Sequence, residues 1–474
     1  MEYETVIGLE THVQLKTRSK MWCGCANEYG VDPNSNVCPV CLGFPGSLPV
    51  PNAEALRLTA LTGFLLNCEV PGLAKFDRKN YFYPDSSKNY QITQLDLPST
   101  RKGLVEFELG DKMAQVRITR AHLEEDVGKS THFADYSGVD FNRAGVPLLE
   151  IVSEPEITSA DMAYEYLNAL KSILEYGGVS DCDMEKGQVR CDVNVSVRPV
   201  GQSELGEKIE IKNMNSFSGA RRALQYEIPR QIGVLRAGGS LRQETRRWDD
   251  VAGITDSMRT KEDAHDYRYF PCPDLMPHTP SEEWHAEVRA CVVELPLARK
   301  QRFMSDYGLP ATDAEVFMND TALGDYFEKA AKGTKNFKAV ANWVMNNLQA
   351  KLVESCVSVS NIKFSASAIG ELVGFVEGGK ISSNIAQDVF GEMFESGKSP
   401  ADIVAEKGLL QVSDTSELEA FCREAIEANP GPEEDYRNGK EAVLNFLKGQ
   451  VMKASRGKAN PQLVGDLLKK ILSS

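Results

Sequence analysis

Along Gly8–Leu15 every second residue is polar or small, and those between are mostly apolar. Successive side chains of a strand point to opposite faces, so Glu10, His12 and Gln14 share one face and Leu9, Thr11, Val13 and Leu15 the other. The same period returns in 189–197, where Arg190, Asp192, Asn194 and Ser196 alternate with Val189, Cys191, Val193, Val195 and Val197. It returns again where Lys208, Glu210 and Lys212 alternate with Ile209 and Ile211. This predicts a sheet with one dry face and one face furnished with functional groups.

Residues 1–292 keep this alternation, with many Gly and Pro and short turn-rich connections, and read as one large α+β unit, a mixed α/β domain with an antiparallel sheet. After Leu295-Pro296 the period becomes helical through Lys398, including Lys338–Leu348 and Ile385–Phe394. Pro400 marks a break; an acidic helix over Glu417–Ala428 precedes Asn429-Pro-Gly-Pro432. Helices are expected over Lys440–Lys453 and from Pro461 onward, where Leu463, Val464, Leu467, Leu468 and Ile471 recur at helical spacing. The expected division is therefore 1–292, an all-helical domain over 293–405 and a small helical tail over 406–474.

Charge separates the tail from the rest. The 474-residue chain carries a net charge of -15, which argues against a protein that coats nucleic acid. From Tyr436 to Ser474, however, eight Lys or Arg face two acids, and Lys448, Lys453, Arg456 and Lys458 cluster near the join of the last two helices. A basic tail on an acidic protein suggests a dedicated anionic partner. The eleven cysteines form no secretory framework, Met1-Glu-Tyr-Glu lacks the features of a signal peptide, and no run approaches the roughly 18 apolar residues of a membrane span. A cytoplasmic protein is expected.

Two patterns carry chemistry. Cys23-Gly-Cys25, a twelve-residue loop and Cys38-Pro-Val-Cys41 give the paired spacing with which four thiolates close on one structural zinc. On the furnished face, Glu10, Glu125, Glu150, Asp192 and Glu210 are expected to converge, with Glu150 inside the apolar run 147–152. Two carboxylates about 4 Å apart repel by roughly 4 kcal/mol at an effective dielectric near 20, so such a cluster calls for a divalent cation or raised pKa values. Hard oxygen ligands select magnesium, and with Lys79, Lys88, Arg190 and Lys212 nearby that ion would suit nucleotide phosphates. Gly374–Ile381 nearly spells a P-loop, but Ile381 stands where Ser or Thr should hold the metal; it reads as a helix-ending turn.

The segments Gly8–Leu15, Lys75–Asp85, Leu123–Lys129, Asn142–Pro155, Asp266–Pro271 and Gly449–Pro461 together resemble the B subunit of the aspartyl/glutamyl-tRNA amidotransferase, over nearly the whole chain. Departures are Thr11, Ser86-Ser87 and Lys448, and none removes a candidate ligand. The resemblance implies a cradle domain that uses ATP to phosphorylate the side-chain carboxylate of Glu-tRNA(Gln) or Asp-tRNA(Asn), then replaces phosphate by ammonia. Such an enzyme is a glutamine-hydrolysing carbon–nitrogen ligase. By the resemblance, Glu10, His12, Glu125, Glu150 and Asp192 are magnesium candidates together with Glu210, while Lys79, Lys88 and Arg190 hold phosphate or substrate. The tail would hold tRNA. No Gly/Ser-rich amidase signature is present, so ammonia is expected from a partner, with the amidase (A) and small (C) subunits completing a heterotrimer. The competing class is a non-catalytic, zinc-containing tRNA-binding protein whose carboxylates are solvated.

Overall fold

The structure, a computed structural model, describes residues 2–260, 266–410, 415–431, 443–455, 459 and 461–472. The chain divides into two compact units, Met1–Leu297 and Ala298–Ser474.

The first unit contains the strands β1 (Tyr3–Gln14), β2 (Asp77–Asn80), β3 (Tyr90–Thr93), β4 (Thr100–Leu109), β5 (Lys112–Glu125), β6 (Lys129–His132), β7 (Ser137–Asp140), β8 (Pro147–Ser153), β9 (Val189–Pro199), β10 (Ile209–Lys212), β11 (Glu244–Asp249), β12 (Ile254–Thr260) and β13 (Phe270–Pro271). Eight of them form one sheet in the order β12-β11-β10-β9-β1-β8-β5-β4. Every neighbouring pair is antiparallel except β10 with β11. β13-β2-β3 and β6-β7 make smaller antiparallel sheets.

The dry face is built as the alternation predicts. Ile7, Leu9 and Val13 of β1 join Leu123, Leu149, Ile151, Val193 and Val195 in one buried cluster. Three helices supply the other half of that core: α1 (Ala53–Leu65), α2 (Ala160–Tyr176) and α3 (Phe217–Arg236). Each starts at a polar cap that accepts backbone N–H groups otherwise left unpaired: Asn52 from Glu54 and Ala55, Ser159 from Met162, and Ser216 from Gly219. With helices on one face, the opposite face is free to carry Glu10, His12 and their neighbours. The architecture is thus mixed α/β with an antiparallel-dominated sheet, as expected.

The second unit is helical among its described residues and holds two separate apolar clusters, one running from Phe303 to Val404 and one from Leu418 to Leu472. The run expected as a helix over 338–348 is helical but not uniform: Phe337–Asn342 is α, Trp343–Leu348 is a wider π turn, and α geometry resumes at Gln349–Ser355. The near-P-loop is the end of the helix Ser367–Glu377. Gly379 sits at φ 63°, the Lys380 N–H donates to Phe375 O at 2.9 Å, and Ile381 is buried. No helix among the described residues is long and apolar enough to cross a membrane.

Candidate active site and thiol cluster

Residues directly opposite across paired strands point to the same face. β1 pairs with β8 and β9 so that His12 faces Glu150 and Arg190, and Glu10 faces Asp192. β8 pairs with β5 so that Glu150 also faces His122. Register therefore sets a row of ionisable groups across the middle of the sheet.

At its centre, His12 Nε2 lies 3.3 Å from Glu150 Oε2 and 3.7 Å from Glu124 Oε1. One ligand atom from each of His12, Glu124 and Glu150 lies within 4.8 Å of the others. His122 Nε2, itself buried, is 3.6 Å from Glu150 Oε2. Burial, reinforced by the charge of Glu150, raises the Glu124 carboxyl to about 7. Burial alone would lower His12, but its hydrogen bond to Glu150 and the charges of Glu124, Glu150 and Asp192 outweigh that and lift it to about 9. Glu150 is also opposed by burial, yet the His12 hydrogen bond and the charges of His122, His12 and Lys79 hold it well below the usual carboxylate range. Burial pushes His122 down to about 4, so it is a neutral ring beside the cluster. One imidazole and two carboxylates at this spacing form a donor set of the size and type a divalent cation takes.

Lys79 stands beside this cluster. Its ammonium lies 4.9 Å from the centre of the Tyr267 ring. Burial opposes its charge, but Glu124, Tyr269 and Glu150 hold its pKa above the ordinary lysine value. The strand that carries it is fastened to the Tyr267 segment by Asn80, whose backbone N–H donates to Tyr267 O at 2.9 Å and whose Nδ2 donates to Arg268 O at 2.7 Å.

Glu10, Asp192 and Glu210 lie on the same face but have partners of their own. Asn194 Nδ2 donates to Glu10 Oε1 at 2.8 Å. Lys212 Nζ is 2.7 Å from Asp192 Oδ2 and 3.0 Å from Glu210 Oε1, and Thr245 Oγ1 donates to Glu210 Oε2 at 2.9 Å. Of the six residues that sequence reasoning nominated for magnesium, the structure brings only His12 and Glu150 into the compact donor set.

Glu125 is turned elsewhere. Its Oε2 takes Lys88 Nζ at 2.5 Å and its Oε1 accepts the Ile92 N–H at 3.0 Å. This also removes Lys88 from the group around His12. The third member of the donor set is Glu124, which sequence reasoning missed. The missing signal was strand parity: Ala121, Leu123 and Glu125 share one face, whereas His122 and Glu124 share the other.

Asp126 was missed as well. It is buried, and both its carboxylate oxygens accept from Arg190 Nη2 at 3.0 Å. Gln14 Nε2 donates to Oδ2 at 3.0 Å, and Arg143 Nε lies 3.5 Å from Oδ1. Burial would raise this carboxyl, but Arg190 and Arg143 hold it below its ordinary value. Asp126 thereby fixes Arg190, the residue opposite His12.

The four cysteines converge. Cys41 Sγ lies 3.5, 3.7 and 3.8 Å from the sulfurs of Cys23, Cys38 and Cys25. All four are free thiols. A tetrahedral zinc with bonds of about 2.3 Å sets sulfurs roughly 3.8 Å apart, so the arrangement fits that ion. A hydrogen bond from Cys23, together with the charge of Lys20, prevails over burial and brings the Cys41 thiol down to about 4, while burial pushes Cys25 up to about 11.

In the tail, Lys453 is exposed on the helix Val443–Ala454. Lys448 is half-buried, with its side chain lying across Gly465 of the helix Pro461–Leu472; a Cβ at Gly465 would come within 2.4 Å of Lys448 Cε. Arg456 and Lys458 lie outside the described residues.

Residues 5–286 match the family model described as the GatB/GatE catalytic domain, and residues 325–472 match that described as the GatB domain. The chain is 53% identical over 473 residues to a protein of Carboxydothermus hydrogenoformans, covering 99% of this chain and 98% of that protein. It is 51% identical over 474 residues to one of Thermoanaerobacter sp., covering all of both. A third relative, from Methylacidiphilum infernorum, is 54% identical over 484 residues, covering 100% of this chain and 99% of that protein. All three carry the name of the B subunit of aspartyl/glutamyl-tRNA(Asn/Gln) amidotransferase.

Proposed function

The chain belongs to the family of the aspartyl/glutamyl-tRNA(Asn/Gln) amidotransferase B subunit, and from that premise we propose that the His12–Glu124–Glu150 cluster is its phosphoryl-transfer centre. The enzyme is a tRNA-dependent, ATP-dependent amidotransferase, a glutamine-hydrolysing ligase. A carboxylate is a poor acyl donor because oxide is a poor leaving group. ATP remedies this by transferring its γ-phosphoryl group to a side-chain oxygen of the Glu or Asp on tRNA, giving an acyl phosphate and ADP. Ammonia then attacks the acyl carbon and phosphate leaves, giving Gln-tRNA(Gln) or Asn-tRNA(Asn).

His12, Glu124 and Glu150 would hold magnesium, which when bound offsets the charge of the phosphate oxygens. Lys79, kept protonated between the two carboxylates and Tyr267, supplies a fixed positive charge beside them. Arg190, anchored on Asp126, keeps part of its guanidinium exposed, a donor for an oxygen-rich substrate. Glu10, Asp192 and Glu210, bridged in part by Lys212, form a second acidic group on the same face that can orient the aminoacyl end. Lys88, paired with Glu125, lies outside the metal group.

The four thiolates of Cys23, Cys25, Cys38 and Cys41 would hold a structural zinc, with no position left for substrate. The chain would work in the cytoplasm within a heterotrimer, alongside the amidase (A) and small (C) subunits. Lys448 and Lys453, with Arg456 and Lys458, would meet the tRNA backbone.

The observation that carries this reading is the compact donor set of His12, Glu124 and Glu150. A non-catalytic tRNA-binding protein has no use for two buried or half-buried carboxylates beside a histidine, and no observation favours it. The test is ATP turnover by the assembled complex supplied with charged tRNA. Turnover should require a divalent cation and be lost in His12→Ala; full turnover in that variant would contradict the reading.

A further inference from the structure

Lys20 is an anomaly of the thiol cluster. Its relative exposure is 0%, yet its Nζ reaches Cys41 Sγ at 3.5 Å, Asn36 O at 2.9 Å and Phe141 O at 3.5 Å. Among the described residues no carboxylate lies within 4.0 Å of that ammonium. A buried cation is costly unless an anion and hydrogen-bond acceptors surround it. Here the anion at hand is sulfur. Four thiolates around one Zn²⁺ leave an excess of two negative charges, and an N–H···S bond from an ammonium offsets part of it.

The same residue sits at a structural junction. Its backbone N–H donates to Cys25 O at 2.9 Å, and the next N–H, from Met21, donates to Gly145 O at 2.7 Å. The cysteine loop is fastened to the same region by the Asn36 N–H on Asn142 Oδ1 at 2.8 Å and by Asn142 Nδ2 on Asp32 O at 2.6 Å. That region continues into Arg143, 3.5 Å from the Asp126 carboxylate, and into Gly145, whose N–H donates to Asp126 O at 2.9 Å. Asp126 in turn anchors Arg190.

We infer that Lys20 is the charge partner of the four-thiol zinc site and the positioning residue that ties it to the 139–146 segment supporting Asp126. The inference rests on the zinc reading above. Residues outside the ligand set commonly set metal affinity by neutralising charge and orienting the ligands, and Lys20 does both with one ammonium.

The test uses the full-length chain, wild type and Lys20→Met, with three readouts: zinc per chain, zinc affinity by competition with a chelator, and the sulfur-to-metal absorption band of the Co²⁺-substituted protein. Wild type should hold about one zinc. Lys20→Met should bind it roughly 10- to 100-fold more weakly. Its charge-transfer band should move to longer wavelength, because the sulfur lone pairs lose a stabilising positive charge; a change confined to packing would leave that band in place. Wild type without zinc would overturn the zinc reading itself. Wild type with zinc, beside a variant with unchanged affinity and band, would overturn the role of Lys20 alone. Should Lys20→Met fail to fold, Lys20→Gln keeps a donor without the charge, and the same readouts decide: a smaller loss of affinity supports the inference and none overturns it.

Discussion

Glu124 and Glu125 are adjacent in β5 and serve different partners: Glu124 Oε1 lies 3.7 Å from His12 Nε2, whereas Glu125 Oε2 takes Lys88 Nζ at 2.5 Å. Strand geometry separates them, since neighbouring side chains leave the sheet on opposite faces. Because of that separation, Glu124→Gln should lower ATP-dependent amidation by the assembled complex about 100-fold, or roughly 2.7 kcal/mol in the barrier, with glutamine hydrolysis retained. Glu125→Gln should act on stability, because it leaves Lys88 without its carboxylate at a cost of about 3 kcal/mol, read by urea unfolding. A Glu124→Gln variant with wild-type amidation would contradict the assignment.

Much of this was legible in the sequence, and the remainder has physical reasons for being hidden. β1 and β9 could be read because their dry faces are mostly apolar, with Thr11 the polar exception in β1, so Glu10, His12, Asp192 and their neighbours could be placed on one face. The convergence of the cysteines could be read because their paired spacing is local. Glu124 could not be chosen over Glu125 so easily: the register of β5 shifts between Ile118 and Arg120, and parity counted from Val116 fails beyond that irregularity. The Asp126–Arg190 contact spans 64 positions, and that pairing depends on tertiary placement. Lys448 reads as a solvated cation until the packing of two helices lays it across Gly465.

Asp126→Asn should loosen Arg190. The buried carboxylate meets Arg190, Arg143 and Gln14, so losing its charge removes the compensation for two guanidinium groups. A loss of about 3 kcal/mol in unfolding free energy is expected. The stability of an Asp126→Asn, Arg190→Met double variant should be higher than the sum of the two single losses implies, because neither group is left alone. Strict additivity would show that the two do not act as a pair.

Removal of zinc should act through the fold. A chelator strong enough to strip the metal, or Cys38→Ser, should lower the unfolding midpoint of the chain, since ligand binding to the native state is folding free energy. Elemental analysis should find about one zinc per chain in wild type. A metal-free preparation with an unchanged melting curve would argue for four unrelated thiols.

Neutralising Lys448, Lys453, Arg456 and Lys458 together should weaken tRNA binding and reduce its salt dependence. Each lost phosphate contact removes counterion release, so the slope of log affinity against log salt should fall by about 0.7–0.9 per contact. Gly465→Ala should do part of the same by displacing the Lys448 side chain, with little loss of stability because the clash is with a flexible chain end. Superimposable salt curves for wild type and the quadruple variant would show that the basic face is only solvated surface.

The most direct test is cation binding itself: titration of the full-length chain with Mn²⁺, followed by electron paramagnetic resonance, in wild type, Glu124→Gln and Glu125→Gln. The donor set of His12, Glu124 and Glu150 predicts one bound ion whose affinity falls at least about tenfold, or roughly 1.4 kcal/mol, in Glu124→Gln and stays at the wild-type value in Glu125→Gln. Loss of the ion in Glu125→Gln with full binding in Glu124→Gln, or no ion bound in wild type, would contradict it.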